Sequence, residues 1–275
     1  MGYGKSIELF LVNGTADSLI TAELSNWNGM AFKIPRVEVS KYEGTDLSVP
    51  GVYFLFSRDS KTDADQVYIG EAEDVLKRLK QHLQDYNKGK ETYEWNSAVV
   101  FVGKDLNKAL IRYLEDRFVR IARECKRYEV LTKSSSANTV LKPSQVAAME
   151  EFIDNVRVII NALGYKVIEP MLDSKEAHSE MYFMRTSSVD AKGIITPEGF
   201  VVLAGAKMNT KESKTIPESA HKRRIKETGN IDQAVTTTDL LFSSSSAAAS
   251  FLAGSSTSGP ASWKREDGTT MREEH

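Results

Sequence analysis

Two short blocks, Gly51-Val52-Tyr53-Phe54-Leu55-Phe56-Ser57 and Val67-Tyr68-Ile69-Gly70, constrain this chain more than any other stretch. In the first, Val52, Phe54 and Phe56 alternate with Tyr53, Leu55 and Ser57; in the second, Val67 and Ile69 alternate with Tyr68 and Gly70. A period of two gives each strand two distinct faces. The connection Arg58–Gln66 is charged and turn-prone, which suits a hairpin with a longer loop. If the pairing sets Tyr53 opposite or diagonal to Tyr68, both phenols leave the sheet on one face.

The residues that follow place charge beside those phenols. From Glu73 onward Val75, Leu76, Leu79 and Leu83 recur at helical spacing, and Glu73 and Asp74 fall in the first turn, where acids favour the positive end of the helix dipole. Arg78 and His82, one turn apart, flank that stripe near Val75, so the pair is expected to rest against the sheet with its polar heads accessible. Ser97–Val102 reads as a third strand. A helix from Lys104 to Arg127 closes the region on a stripe of Leu110, Ile111, Leu114, Phe118, Ile121, Ala122 and Cys125. At about 100° per residue, Glu115 falls at the edge of that stripe. A carboxylate there needs a hydrogen bond, an ion pair or a metal, because even partial burial of an unpaired charge is costly.

Gly51-Val52-Tyr53, Tyr68-Ile69-Gly70, Arg78 ten residues after the second tyrosine, His82 four later and Glu115 on a following helix together resemble the GIY-YIG nuclease superfamily. The resemblance covers roughly residues 48–140 and is carried by joint order and spacing, since each motif alone is short. It implies an α+β fold, with a small sheet of three antiparallel strands flanked by helices. It also implies hydrolysis of a phosphodiester with one divalent metal, Mg2+ or Mn2+. Carried over residue by residue, Glu115 would be the metal ligand, Arg78 would face the scissile phosphate and Tyr53 would help activate the attacking water. Tyr68 and His82 would assist proton transfer or phosphate positioning, and Asn138 is the nearest match to the asparagine that braces the site in family members. The chemistry asks for these types, because charge developing on the phosphoryl oxygens must be met by cations. A phenol serves as a base only if nearby positive charge depresses its pKa.

The 275 residues, 41% hydrophobic and 27% charged, hold enough apolar material for more than one core. The expected organisation is an N-terminal β-rich extension over 1–49, the nuclease domain over 50–168, a linker over 169–180, a small α+β domain over 181–263 and a frayed charged tail over 264–275. In the extension, Ser6–Val12 is a strand candidate ended by Asn13-Gly14, and Phe32–Val39 is extended around Pro35. This leader resembles the β-rich lead-in of one bacterial subgroup of the family. Ser144–Leu163 reads as a helix capped by Ser144 and stopped by Gly164. In the second domain, Met181–Met184 and Gly199–Leu203 read as strands. The serine-rich run ending at Gly254 reads as a capped helix with Trp263 to pack against it. This module resembles a small domain of unknown function that often follows GIY-YIG domains.

A net charge of −2 is no signature of a nucleic-acid binder, but between Lys104 and Lys133 nine Lys or Arg stand against five Asp or Glu, which makes this the best candidate for a phosphate-facing surface, with a solvated helix face as the equal alternative for any single basic residue. The run His221–Lys226 reads first as a solvated helix face or loop and second as a DNA-backbone contact. The lone Cys125 excludes an internal disulfide and a thiolate zinc cluster. No apolar run approaches the ~20 residues that cross a bilayer, so no membrane partner and a cytoplasmic location are expected. The leading expectation is a metal-dependent DNA endonuclease whose C-terminal module assists substrate selection. Its rivals are a nucleic-acid-binding protein that keeps the fold without efficient hydrolysis, and an accessory factor of a restriction or phage-defence system. DNA is the expected partner, with a homodimer or a defence-system partner left open.

Overall fold

The structure of the protein is a computed structural model. It describes residues 3–60, 64–91, 94–133, 139–170 and 181–273, so Asn138 and the linker positions 171–180 lie outside the described residues. The chain divides into two compact units, Met1–Glu169 and Pro170–His275.

In the first unit the strands are β1 (Ile7–Leu11), β2 (Ile20–Leu24), β3 (Gly29–Pro35), β4 (Gly51–Arg58), β5 (Asp65–Ala72), β6 (Ser97–Gly103) and β7 (Glu129–Val130). The helices are the single turn α1 (Arg36–Val39), then α2 (Val75–Asn87), α3 (Lys108–Cys125) and α4 (Pro143–Ala162). All seven strands join one sheet in the order β1-β2-β3-β6-β4-β5-β7, which corrects the expected sheet of three. The reason lies at β6. With β4 on one side, its other side needs ladder partners, and β3 supplies them from Gly29↔Gly103 to Pro35↔Ser97. β2 and β1 continue the meander outward, so the N-terminal extension is built into the same sheet as β4 and β5. In β2, Ile20, Ala22 and Leu24 are buried while Thr21 and Glu23 are more exposed. That is a half-buried strand hidden in a polar sequence. After Pro35 the chain turns into α1 instead of staying extended.

β4 lies between β6 and β5, and Gly51–Ser57 is buried throughout. Val52, Phe54 and Phe56 enter the core that α3 and α4 cover, while Tyr53 and Leu55 enter the opposite core with Val39, Leu47, Val75, Leu79 and Trp95. Burying such side chains contributes roughly 1.5–3 kcal/mol each, which is why this strand holds the centre. α2 is capped by Asp74, whose carboxylate accepts the Lys77 N–H at 2.9 Å; Glu73 stands before the cap, not in the first turn. α3 is capped by Asn107, which accepts from the N–H groups of Ala109 and Leu110. α4 starts one residue earlier than expected, with Pro143 at its first position and Lys142 as its cap.

The second unit contains β8 (Met181–Arg185), β9 (Asp190–Thr196), β10 (Gly199–Val202), α5 (Glu218–Lys226), β11 (Ile231–Asp232), β12 (Val235–Thr236), β13 (Leu240–Phe242), α6 (Ser245–Ala253) and α7 (Gly259–Ser262). Its main sheet runs β13-β10-β9-β8. The serine-rich segment is the helix its caps imply. The Ser244 hydroxyl accepts the Ala247 N–H, Gly254 takes the left-handed conformation, and the buried Trp263 donates its indole N–H to the Ser245 carbonyl at 3.0 Å. The tail expected to fray instead folds back. Lys264 and Phe183 exchange backbone hydrogen bonds at 2.7 and 2.9 Å, and Met271 is buried.

The basic run on α5 serves this unit itself. Arg224 is buried and donates to the carbonyls of Asn209, Phe251 and Leu252, the last two at the C-terminal end of α6. His221 pairs with Glu212, Lys222 with Glu218 and Arg223 with Glu227. The run is therefore a solvated helix face at His221 and Lys222 and a buried structural contact at Arg224. Arg224→Met leaves those carbonyls without their donor, so it is expected to destabilise the second unit by about 2–4 kcal/mol in urea unfolding. Lys222→Ala is expected to leave the midpoint unchanged.

Candidate active site

The register of β4 and β5 sets Tyr53 opposite Gly70 and Leu55 opposite Tyr68. The two tyrosines are therefore diagonal neighbours on one face, with ring centroids 6.3 Å apart. Gly70 is required at its position because a Cβ there would lie 2.5 Å from the Tyr53 hydroxyl oxygen; the ring crosses the residue it faces. Tyr53 is only 1% exposed, and Tyr68 is half-buried. α2 lies over the same face and brings His82 edge-on to both rings. The Tyr53 hydroxyl is 2.9 Å from His82 Nε2, and His82 Nδ1 is 2.5 Å from Glu91 Oε1. The imidazole is fully buried, contrary to the expectation of an accessible head. With a protein partner at each ring nitrogen, its enclosure leaves no orphaned polar atom. Arg78, one turn earlier, stays partly open, sits beside both phenols and lies 3.9 Å from Asp85.

The electrostatics separate these groups. Burial pushes the Tyr53 phenol well above its ordinary pKa, and Arg78 offsets this only in part; burial likewise raises Tyr68 against the pull of Arg78. Charge alone therefore makes neither phenol a ready base. Burial and the Arg78 charge push His82 down to about 3, which keeps the ring neutral at pH 7. Glu115, half-buried on α3, is close enough to both phenols for its charge to raise them. Its own pKa is pushed up to about 7 by burial first and by the Glu71 carboxylate second, with Lys108 opposing. Among the described residues no hydrogen bond or ion pair engages the Glu115 carboxylate.

The sequence reading did not include Glu71 or Glu91. Glu71 directly follows the second glycine motif and accepts from Lys108 Nζ at 2.7 and 2.9 Å, with Arg112 at 3.9 Å. A signal for it existed, since Lys108, Arg112 and Glu115 share one side of a helix at spacings of four and three. Nothing local singles out Glu91 in its polar surroundings. Asn138 lies outside the described residues, so the structure places five of the six expected residues: Tyr53, Tyr68, Arg78, His82 and Glu115.

Residues 49–128 match the family described as the GIY-YIG catalytic domain. The chain carries a GIY-YIG domain. Such a domain is a nuclease domain, with nucleic acid as its substrate class. Residues 181–275 match a domain of unknown function, DUF4357. No curated protein and no solved structure matches the chain. Among the described residues no helix is long and apolar enough to cross a membrane.

Much of the basic excess of the GIY-YIG domain is committed internally. Arg117 grips Glu150 through two bonds, Arg120 pairs with Asp116, and Arg123 and Arg127 donate to the carbonyls of Thr132 and Glu169. Lys108 and Arg112, about half exposed on the side of Glu71 and Glu115, are the cations that border the site.

A carboxyl raised by the fold costs stability once it ionises. For Glu115, whose pKa moves from 4.5 to about 7, that cost is absent at low pH, grows from pH 4.5 and is complete above about pH 7. In metal-free buffer, Glu115→Gln is expected to be more stable than the parent at about pH 8, by roughly 1 kcal/mol after allowing for solvent screening. The gain should vanish at about pH 4. Urea titrations at the two pH values measure it.

Proposed function

We propose that this protein is a divalent-metal-dependent DNA endonuclease working through its GIY-YIG domain. The observation that carries the reading is the half-buried, unengaged Glu115 carboxylate beside two phenols that Arg78 also borders. The donors fit a hard cation such as Mg2+ or Mn2+. Glu115 would hold it with Glu71 alongside, and one or two carboxylates completed by water and substrate oxygens is the usual magnesium pattern at phosphates. Among the described residues no three His, Cys, Asp or Glu side chains group as a protein-only cage. When bound, the cation supplies Lewis-acid polarisation of the phosphoryl group.

The chain's own residues do the rest. Arg78 binds a phosphate oxygen and meets the charge that develops there. Tyr68, the more open phenol, orients the phosphate or the attacking water. The Tyr53 hydroxyl receives the proton of that water and hands its own to His82. Lys108 and Arg112 border the adjoining backbone phosphates. The C-terminal module assists substrate selection; of its α5 basic residues, His221, Lys222 and Arg223 are paired within the unit.

A second reading, a binder that cuts weakly or not at all, is favoured by the net charge of −2 and by the raised Tyr53 phenol. Supercoiled plasmid distinguishes the two. With Mg2+ or Mn2+ the parent is expected to nick it, and Glu115→Ala and Arg78→Ala to nick at least about 100-fold more slowly. Equal nicking by the variants would assign the activity to a contaminant, and retained DNA binding with no product in either metal would establish the second reading. Mg2+ should also raise the thermal midpoint of the parent and leave that of Glu115→Gln unmoved.

A further inference from the structure

We propose that Glu91 is the positioning residue that makes His82 a proton acceptor for Tyr53. The inference rests on the hydrolytic reading for its catalytic consequence and on geometry alone for the tautomer it assigns.

Three groups stand in line. The Tyr53 hydroxyl lies 2.9 Å from His82 Nε2, and His82 Nδ1 lies 2.5 Å from Glu91 Oε1. A neutral imidazole carries one N–H and one lone pair, and an ionised carboxylate only accepts. The proton of the ring therefore belongs on Nδ1, donated to Glu91. Nε2 is left as a lone pair that accepts the Tyr53 O–H. The opposite tautomer would set a lone pair against the carboxylate and turn Tyr53 into an acceptor. Glu91 thereby gives the contact its direction, as the buried acid of a Ser-His-Asp triad does for its histidine.

The rest of the surroundings agree. His82 is faced by Arg78 and Asp85 from its own helix, by Tyr53 from β4, by Tyr68 from β5 and by Glu91 from the turn after α2. Of these, Glu91 holds the second ring nitrogen. A specific turn brings it there: Gly89 adopts φ +69°, and the N–H groups of Lys90 and Glu91 both return to the Asp85 carbonyl at 2.8 and 3.3 Å. No atom crowds the Cβ position of Gly89, so what the glycine supplies is its left-handed backbone.

The proton path balances. As the water oxygen bonds to phosphorus, its O–H breaks and the proton passes to the Tyr53 oxygen while the Tyr53 proton moves to His82 Nε2. The leaving P–O bond breaks on the far side of phosphorus and its oxygen takes a proton from solvent water, while His82, now an imidazolium held against Glu91, returns its proton through Tyr53 to water. Tyr53 need never rest as a phenolate; the imidazolium that burial and Arg78 disfavour is transient and is held by the Glu91 carboxylate at Nδ1.

The test is a nitrogen-15 NMR determination of the His82 tautomer in the full chain labelled at histidine, assigned with His82→Gln. The parent is expected to show the neutral Nδ1–H form, and Glu91→Leu, which removes the acceptor, to lose it. In plasmid nicking, Glu91→Leu should lower kcat by about 10–100-fold with KM unchanged, and Glu91→Asp should recover part of the rate. An Nε2–H parent overturns the proposal whatever the variants do, and so does a folded Glu91→Leu protein that keeps both tautomer and kcat. If the tautomer behaves as expected and the parent fails to cut DNA, the hydrolytic reading falls while the assignment of Glu91 to His82 stands.

Discussion

A phenol enclosed by protein has to hydrogen-bond, and the arrangement around Tyr53 follows from that requirement. β4 is central and buried on both faces, so Tyr53 has no route to solvent along its strand. Its hydroxyl crosses Gly70 and meets His82 at 2.9 Å. Leaving such a group unpaired costs about 1–3 kcal/mol, more than the roughly 1 kcal/mol an average hydrogen bond contributes net. The pairing therefore acts mainly as a constraint. It fixes the rotation of α2 about its axis, because Val75, Leu76 and Leu79 reach the core only when His82 points at the sheet.

The site divides along the same line. Tyr53 and His82, with Glu91 behind them, form its enclosed part, where burial raises the Tyr53 phenol and lowers the His82 ring. Tyr68, Arg78 and Glu115 form the more open part, with Glu71 largely covered beside Lys108. Glu115 belongs to the open part by access and to the enclosed one by energetics, since burial is the largest cause of its raised pKa. A divalent cation would reverse that balance by favouring the ionised form. Lys108, which bridges to Glu71, already does so in part.

Much of this was legible in the sequence, and the failures have physical causes. The alternation in Gly51–Ser57 and Val67–Gly70 revealed the strand pair and the shared face of the phenols, and the helical stripe carrying Arg78 and His82 showed which side of α2 meets the sheet. The size of the sheet was not legible, because strand partners far apart in sequence leave no local mark. β3 meets β6 across more than sixty residues, and β2 hides its period among polar residues. The enclosure of His82 was missed for a different reason: its second partner, Glu91, is near in sequence but arrives through a turn whose only sign is Gly89. In the C-terminal unit, by contrast, caps are local, and Ser244 and Gly254 delimit α6 as the residue types imply.

The placement of charge bounds how this protein can hold nucleic acid. A chain of net charge −2 whose arginines are largely bound to its own carboxylates and carbonyls has little long-range field with which to gather a polyanion. Among the described residues, Arg78, Lys108 and Arg112 are the cations nearest the candidate site, and Lys108 and Arg112 already face the Glu71 carboxylate. Each phosphate that such a cation neutralises adds about one counterion to the number released. A footprint of three such contacts gives a shallow salt dependence beside that of proteins that track the backbone with a basic stripe. On the proposed function, recognition at this site rests more on local geometry than on electrostatic capture.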